Sequence, residues 1–131
     1  MKEVLDTRFF IEHFYAEDAN FKGRTSRKLQ ELTTSREGVI STITLAEVAK
    51  FVCEQRGKAE AEVLHRAIVS SGLSIRAVTA ELAGVAGVLK CKHPNVPMGD
   101  CIIAATAQSE KARIVSDDPH FDELKARRTW I

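Results

Sequence analysis

The sequence is poor in the residues that staple, bend or coat a small protein. Its 131 residues include three cysteines, three prolines, one tryptophan, one tyrosine and two methionines. The cysteines, Cys53, Cys91 and Cys101, form no C-x-x-C pair, and an odd number is a poor disulfide framework. Free, buried thiols in a reducing cytoplasm are expected. Neither sign of charge dominates: 19 Lys and Arg stand against 18 Asp and Glu, a net +1. That excludes a polycation that coats nucleic acid indiscriminately, and it excludes an acidic disordered tail. It leaves a nucleic-acid enzyme open, because net charge does not report where charges sit. No apolar run approaches the ~20 residues needed to span a bilayer. Acids interrupt the opening MKEVLDTRFF at once, so no signal peptide is expected. A cytoplasmic protein with no membrane partner follows as the expectation. A P-loop (G-x-x-x-x-G-K-[ST]) and an H-E-x-x-H zinc site are both lacking.

What is present is a single domain's worth of ordinary globular sequence. Residues 1–131 are 44% hydrophobic and 28% charged. Such a length buries roughly two thirds of its unfolded surface and needs no staples. Short β-rich runs alternate with helical stretches, which predicts an α/β protein with a parallel sheet flanked by helices. Strands are expected at Glu3–Asp6, Val39–Ile43, Leu73–Ala77 and Arg113–Ser116, with Thr129–Ile131 as a further edge strand. Helices are expected over Phe9–Tyr15, Thr25–Ser35, Thr44–Glu54, Lys58–Ser71, Thr79–Lys92 and Asp100–Glu110. Leu64, Ala67 and Ile68 mark one helical face. Gly38, Gly57 and Gly72 end helices, and HPNVPMG forms a loop. A last turn or short helix starts at Asp118-Pro119.

The informative residues are four acids at strand-to-helix junctions: Asp6, Glu47, Asp100 and Asp118. Each also fits a purely local role. Thr44-x-x-Glu47 has the form of a capping box. Asp100 suits an N-cap or first turn, Asp118-Pro119 an N-cap followed by proline, and Asp6 a cap on the first helix. Together they suggest more. In a parallel α/β sheet, ligands bind outside the carboxyl ends of the strands, where strand order reverses. If the first strand is central, all four carboxylates face one crevice. Four like charges that close repel, so a compensating cation is expected. Hard oxygen donors without His or Cys select Mg²⁺ or Mn²⁺.

These residues resemble a known family. V-L-D-T, I-T-L-A-E-V, P-M-G-D-C-I-I-A-A-T-A and I-V-S-D-D-P-H-F, in that order between Val4 and Phe121, are similar to the motifs of PIN-domain ribonucleases. By length and motif the chain resembles the VapC-type toxins of prokaryotic toxin–antitoxin pairs. The resemblance implies a three-layer α/β/α sandwich with a central parallel sheet of four or five strands. It implies a Mg²⁺- or Mn²⁺-dependent endoribonuclease in which Asp6, Glu47, Asp100 and Asp118 are catalytic and Asp6, Asp100 and Asp118 hold the metal. Thr7 and Ser116 match polar positions that support the acids, and Asp117 is an alternative to Asp118. Where His120 stands, many relatives carry another acid, which weakens the case for a second metal site and points to one tightly held ion. An RNA substrate, a cognate antitoxin and a homodimer are the implied partners.

Other features carry two readings. Arg8 suits a scissile phosphate or a carboxylate pair. Lys22, Arg24, Arg27 and Lys28, and then Lys125, Arg127 and Arg128, suit RNA phosphates or a solvated surface. His13, His65, His93 and His120 lack ligand spacing, and His120 alone is placed near the acids. Ala80, Ala83, Gly84, Ala86 and Gly87 make a slender helix, for close packing or a dimer seam. Phe10, Phe14 and Phe51 suit a core or an antitoxin groove, and Trp130 a packing anchor. A non-catalytic binding module and a housekeeping RNA-processing nuclease are the alternative functions. A phospho-acceptor receiver is set aside, because Leu73–Ala77 carries no acceptor acid.

Overall fold

Three pairs of neighbouring apolar residues, Val4/Leu5, Val39/Ile40 and Ile114/Val115, lie in adjacent strands, and each is at most 1% exposed. Successive side chains on a strand point to opposite faces. A sheet carrying such pairs must be covered on both sides, as parallel sheets are. The computed structural model, which describes residues 1–131, shows this arrangement. Leu5, Ile40 and Val115 join one cluster with Phe9, Phe10, Leu32, Val48 and Val52. Val4, Val39 and Ile114 join a second on the other face with Ile103, Ala104, Ala107 and Phe121.

The elements run β1 (Glu3–Leu5), α1 (Thr7–Tyr15), α2 (Ala19–Ser35), β2 (Gly38–Ser41), α3 (Thr42–Arg56) and α4 (Lys58–Val69). They continue with β3 (Ser74–Arg76), α5 (Ala80–Lys92), α6 (Met98–Glu110), β4 (Arg113–Val115), α7 (His120–Glu123) and β5 (Arg128–Thr129). The five strands lie in the order β3-β2-β1-β4-β5. All pairings are parallel. The sheet is therefore five-stranded within an α/β/α sandwich, and β1 is central. Strand order reverses between β1 and β4, so the crevice forms beyond Leu5 and Val115. No helix is long and apolar enough to cross a membrane.

Several local expectations are corrected. Helix α3 starts at Thr42, because Ser41 at the end of β2 caps it, accepting the Ile43 N–H at 3.2 Å. Thr44 falls inside the first turn, is buried, and its hydroxyl finds no partner. The expected Thr44–Glu47 capping box does not form. Gly38 does not end α2. Arg36 does so in the left-handed conformation (φ 61°). Gly38 instead begins β2, where a Cβ would lie 2.5 Å from Leu73 and 2.9 Å from Leu32. Helix α2 begins six residues before Thr25, because Asp18 caps it, accepting N–H groups of Asn20 and Phe21. On α4 the buried face is Ala61 and Ile68 with Leu64 beside them, while Ala67 is exposed. Cys101 is buried as expected, but Cys53 and Cys91 are exposed.

Candidate active site

The crevice is built from the ends of β1 and β4 and the beginnings of α1, α3 and α6. Asp6 follows β1 directly. It caps α1, accepting the Thr7 N–H on Oδ1 at 2.7 Å, and is 2% exposed. Its other oxygen, Oδ2, accepts the buried Ser116 hydroxyl at 2.6 Å. Ser116 follows β4, and its Oγ in turn accepts the Asp118 N–H at 3.0 Å. One hydroxyl thus fixes the geometry between two acids that follow adjacent strands.

Glu47 reaches the same place from α3. Its Oε1 accepts the Thr7 hydroxyl at 2.7 Å. Its Oε2 packs on Gly99, where a Cβ would come within 2.6 Å. Asp100, in the first turn of α6, completes the set. The loop ahead of it ends at Pro97, which lacks an N–H and suits a helix start.

Burial and repulsion dominate the electrostatics. Desolvation, with smaller contributions from Asp100 and Asp118, pushes Asp6 up to about 6, although the Ser116 and Thr7 hydrogen bonds pull it down. Asp100 is also raised to about 6, by desolvation, then by Asp118 and Glu47, against the pull of His120. The two carboxyls are poorly compensated by the chain itself.

His120 is the residue the sequence underweighted. Its Nδ1 lies 3.1 Å from Asp100 Oδ2 and 3.1 Å from Asp118 Oδ1. Its backbone N–H donates to Asp118 Oδ1 at 2.9 Å. Desolvation is the largest single influence on the ring and acts downward, but the Asp118 and Asp100 carboxylates together outweigh it and raise its pKa. Donor atoms of Asp100, Asp118 and His120 all lie within 4.8 Å of one another. That spacing is compatible with a shared ion, and oxygen-rich donors suit a hard divalent cation; Asp6 and Glu47 stand outside this tight group. The nearness of His120 to Asp118 was legible; its meeting with Asp100, 20 residues away, was not.

The remaining candidates separate. Asp117 does not join the cluster: its carboxylate takes a fork from Arg8, Nε to Oδ1 at 2.8 Å and Nη2 to Oδ2 at 3.1 Å. The same pair occupies Arg8. Lys28 is tied to Glu3 at the amino end of β1, at the other end of the strand from Asp6. Arg128 forks onto Asp122 at 2.9 Å. Arg8 and Arg128 are nevertheless near enough to Asp118 to feel its charge.

The PIN domain family model matches residues 4–127. The chain belongs to the PIN domain family. Among curated protein sequences none matches it. Solved structures similar to this PIN domain include DNA-bound VapBC from Salmonella typhimurium, with TM-score 0.78 and 20% identity over 99% of this chain and 98% of that one. VapBC2 from Rickettsia felis, bound to a promoter DNA fragment, gives TM-score 0.77 and 21% identity over 99% and 98%. VapC20 of Mycobacterium tuberculosis, a toxin that cleaves the sarcin–ricin loop, gives 0.77 and 22% over 95% and 96%. At such identities these likenesses establish the shared fold.

Proposed function

We propose that this PIN domain is a Mg²⁺- or Mn²⁺-dependent endoribonuclease. The observation that carries the proposal is the convergence of Asp6, Glu47, Asp100 and Asp118 on one crevice, with two of the carboxyls pushed up to about 6. Asp6, Asp100 and Asp118 are the residues that would hold the ion. When bound there, a divalent ion would supply neutralisation of phosphate charge and a lowered pKa for water.

The chain's own residues do the rest. Thr7 N–H and the Ser116 hydroxyl fix both oxygens of Asp6, so the carboxylate plane cannot rotate away. Thr7 also holds Glu47 by Oε1, leaving Oε2 to orient the attacking water and accept its proton. The exposed parts of Arg8 and Arg128, at the rim beside Asp118, draw in phosphates.

The biological role we infer is the toxin of a toxin–antitoxin pair, with a cognate antitoxin as protein partner. Its support is the likeness to VapBC assemblies. The homodimer expected from the small residues of α5 gains support from its outer side. A Cβ added at Gly84 or Gly87 would meet nothing within 4 Å, and Val85 and Val88 are 42% and 55% exposed. Sedimentation of wild type against Val88→Glu tests it: a dimer that dissociates on substitution is expected, and a wild-type monomer contradicts it.

One observation favours the alternative of a non-catalytic module. His120 Nδ1 lies within hydrogen-bond reach of both Asp100 and Asp118, so a side chain of the protein itself can partly offset their charge. Metal removal decides between the two. RNA cleavage that stops in EDTA and returns with Mg²⁺ or Mn²⁺ supports the nuclease. RNA binding with no cleavage under any divalent ion supports the module.

A further inference from the structure

We infer that His120 is a nitrogen donor to the divalent ion, and that it makes the crevice prefer Mn²⁺ to Mg²⁺. The inference rests on the metal-dependent reading above and adds a ligand that an all-carboxylate site lacks. Its basis is geometric. His120 Nδ1 stands 3.1 Å from Asp100 Oδ2 and 3.1 Å from Asp118 Oδ1. Neighbouring ligands at about 2.1 Å from an octahedral ion are separated by about 3 Å, the edge of the octahedron. The ring nitrogen thus faces both carboxylates at a separation that fits two neighbouring ligand positions as well as it fits a hydrogen bond.

The position is built into the backbone. Pro119 sets the turn at φ −67°, and His120 opens α7 with its N–H on Asp118 Oδ1 at 2.9 Å. That bond locks the start of the side chain to the same carboxylate that its ring approaches. This side chain is 41% exposed, and the buried residue of the turn is Phe121. Between two carboxylate oxygens Nδ1 serves as a donor, and an ion entering between the acids would take the place of its proton. Oxygen donors alone suit Mg²⁺, whereas imidazole shifts affinity toward first-row transition ions.

The test is pulsed electron paramagnetic resonance of Mn²⁺ bound to the full chain, with unlabelled and ¹⁵N-histidine-labelled protein, alongside calorimetry with Mn²⁺ and Mg²⁺. Nitrogen coupling is expected in wild type, changed by the label and absent in His120→Asn. Mn²⁺ affinity should fall in that variant by at least the roughly 10–100-fold seen when a supporting contact is lost, and Mg²⁺ affinity should fall less, so the preference for Mn²⁺ declines. Mn²⁺ that binds wild type without nitrogen coupling, with His120→Asn retaining the preference, overturns the inference and leaves the nuclease reading standing. A folded wild type that binds neither ion overturns both.

Discussion

The Ser116 hydroxyl donates to Asp6 Oδ2 at 2.6 Å, joining residues 110 apart in sequence, while its oxygen accepts the Asp118 N–H at 3.0 Å. Ser116 is fully buried, so no water replaces it when it is truncated. Ser116→Ala leaves a charged acceptor and a backbone donor unmet at once. A loss of about 1.5–3 kcal/mol is expected, the range for hydrogen bonds to charged groups. Urea unfolding at pH 7 measures it, and Mn²⁺ titration of the same variant should show weakened binding, since Asp6 loses its main support.

The raised acids give the metal-free protein an unusual pH dependence. Asp6 binds its proton more tightly when folded (about 6) than at its ordinary value of 3.8. Between those values the folded state holds the extra proton, so its contribution to stability falls as pH rises through the window. Asp6→Asn removes the ionised carboxylate. It also removes one of the two acceptors that Ser116 and Thr7 use, so the expectation concerns the pH dependence: in EDTA the stability of the variant relative to wild type should be about 1–3 kcal/mol more favourable at pH 7 than at pH 4. Urea midpoints at the two pH values read the difference. A gap that is the same at both contradicts the assignment.

Gly99 is small for a reason unrelated to backbone freedom. A Cβ there meets Glu47 Oε2 at 2.6 Å and Cδ at 3.2 Å. Because the obstacle is the tip of a side chain, Gly99→Ala moves Glu47 and spares the fold. Cleavage rate should fall toward that of Glu47→Gln, with Tm within a few degrees of wild type. A variant with full activity would show that the Glu47 position is not needed.

The basic cluster at 22–28 is anchored in the fold through Lys28. Glu3 is 2% exposed and takes Lys28 Nζ at 2.5 Å and Arg113 Nε at 2.9 Å. Lys28→Met leaves Arg113 as the sole partner, and the cost should lie toward the lower end of the about 3–5 kcal/mol known for breaking buried pairs. Cleavage at saturating metal should be unchanged, because this contact is at the end of β1 away from Asp6. Thermal unfolding and cleavage rates measured together separate the two effects.

Much of this was legible from residue order. Alternating strand and helix runs, with β-branched pairs such as Val39–Ile40, point to a doubly covered parallel sheet, and the junction acids fall at the strand ends such a sheet exposes. Caps were harder. Ser41, Thr42 and Thr44 are three hydroxyls in four positions. Only the end of the β2 pairing decides that Ser41 is the cap and that Glu47 is released to meet Thr7. Adjacent acids were ambiguous in the same way. Asp117 and Asp118 take different partners, and the one that claims Asp117, Arg8, is 109 residues away. The His120–Asp100 approach is likewise tertiary, made by α6 and the turn before α7 packing on the same edge.

The central claim is that these acids cut RNA with a divalent ion, and one comparison tests it most directly. Wild type and Asp6→Asn are incubated with RNA in Mn²⁺, with folding of both checked by circular dichroism. Wild type should cleave, and the folded variant should not. Matching circular dichroism spectra of the two proteins separate loss of chemistry from loss of fold. Undiminished cleavage by Asp6→Asn would contradict the account.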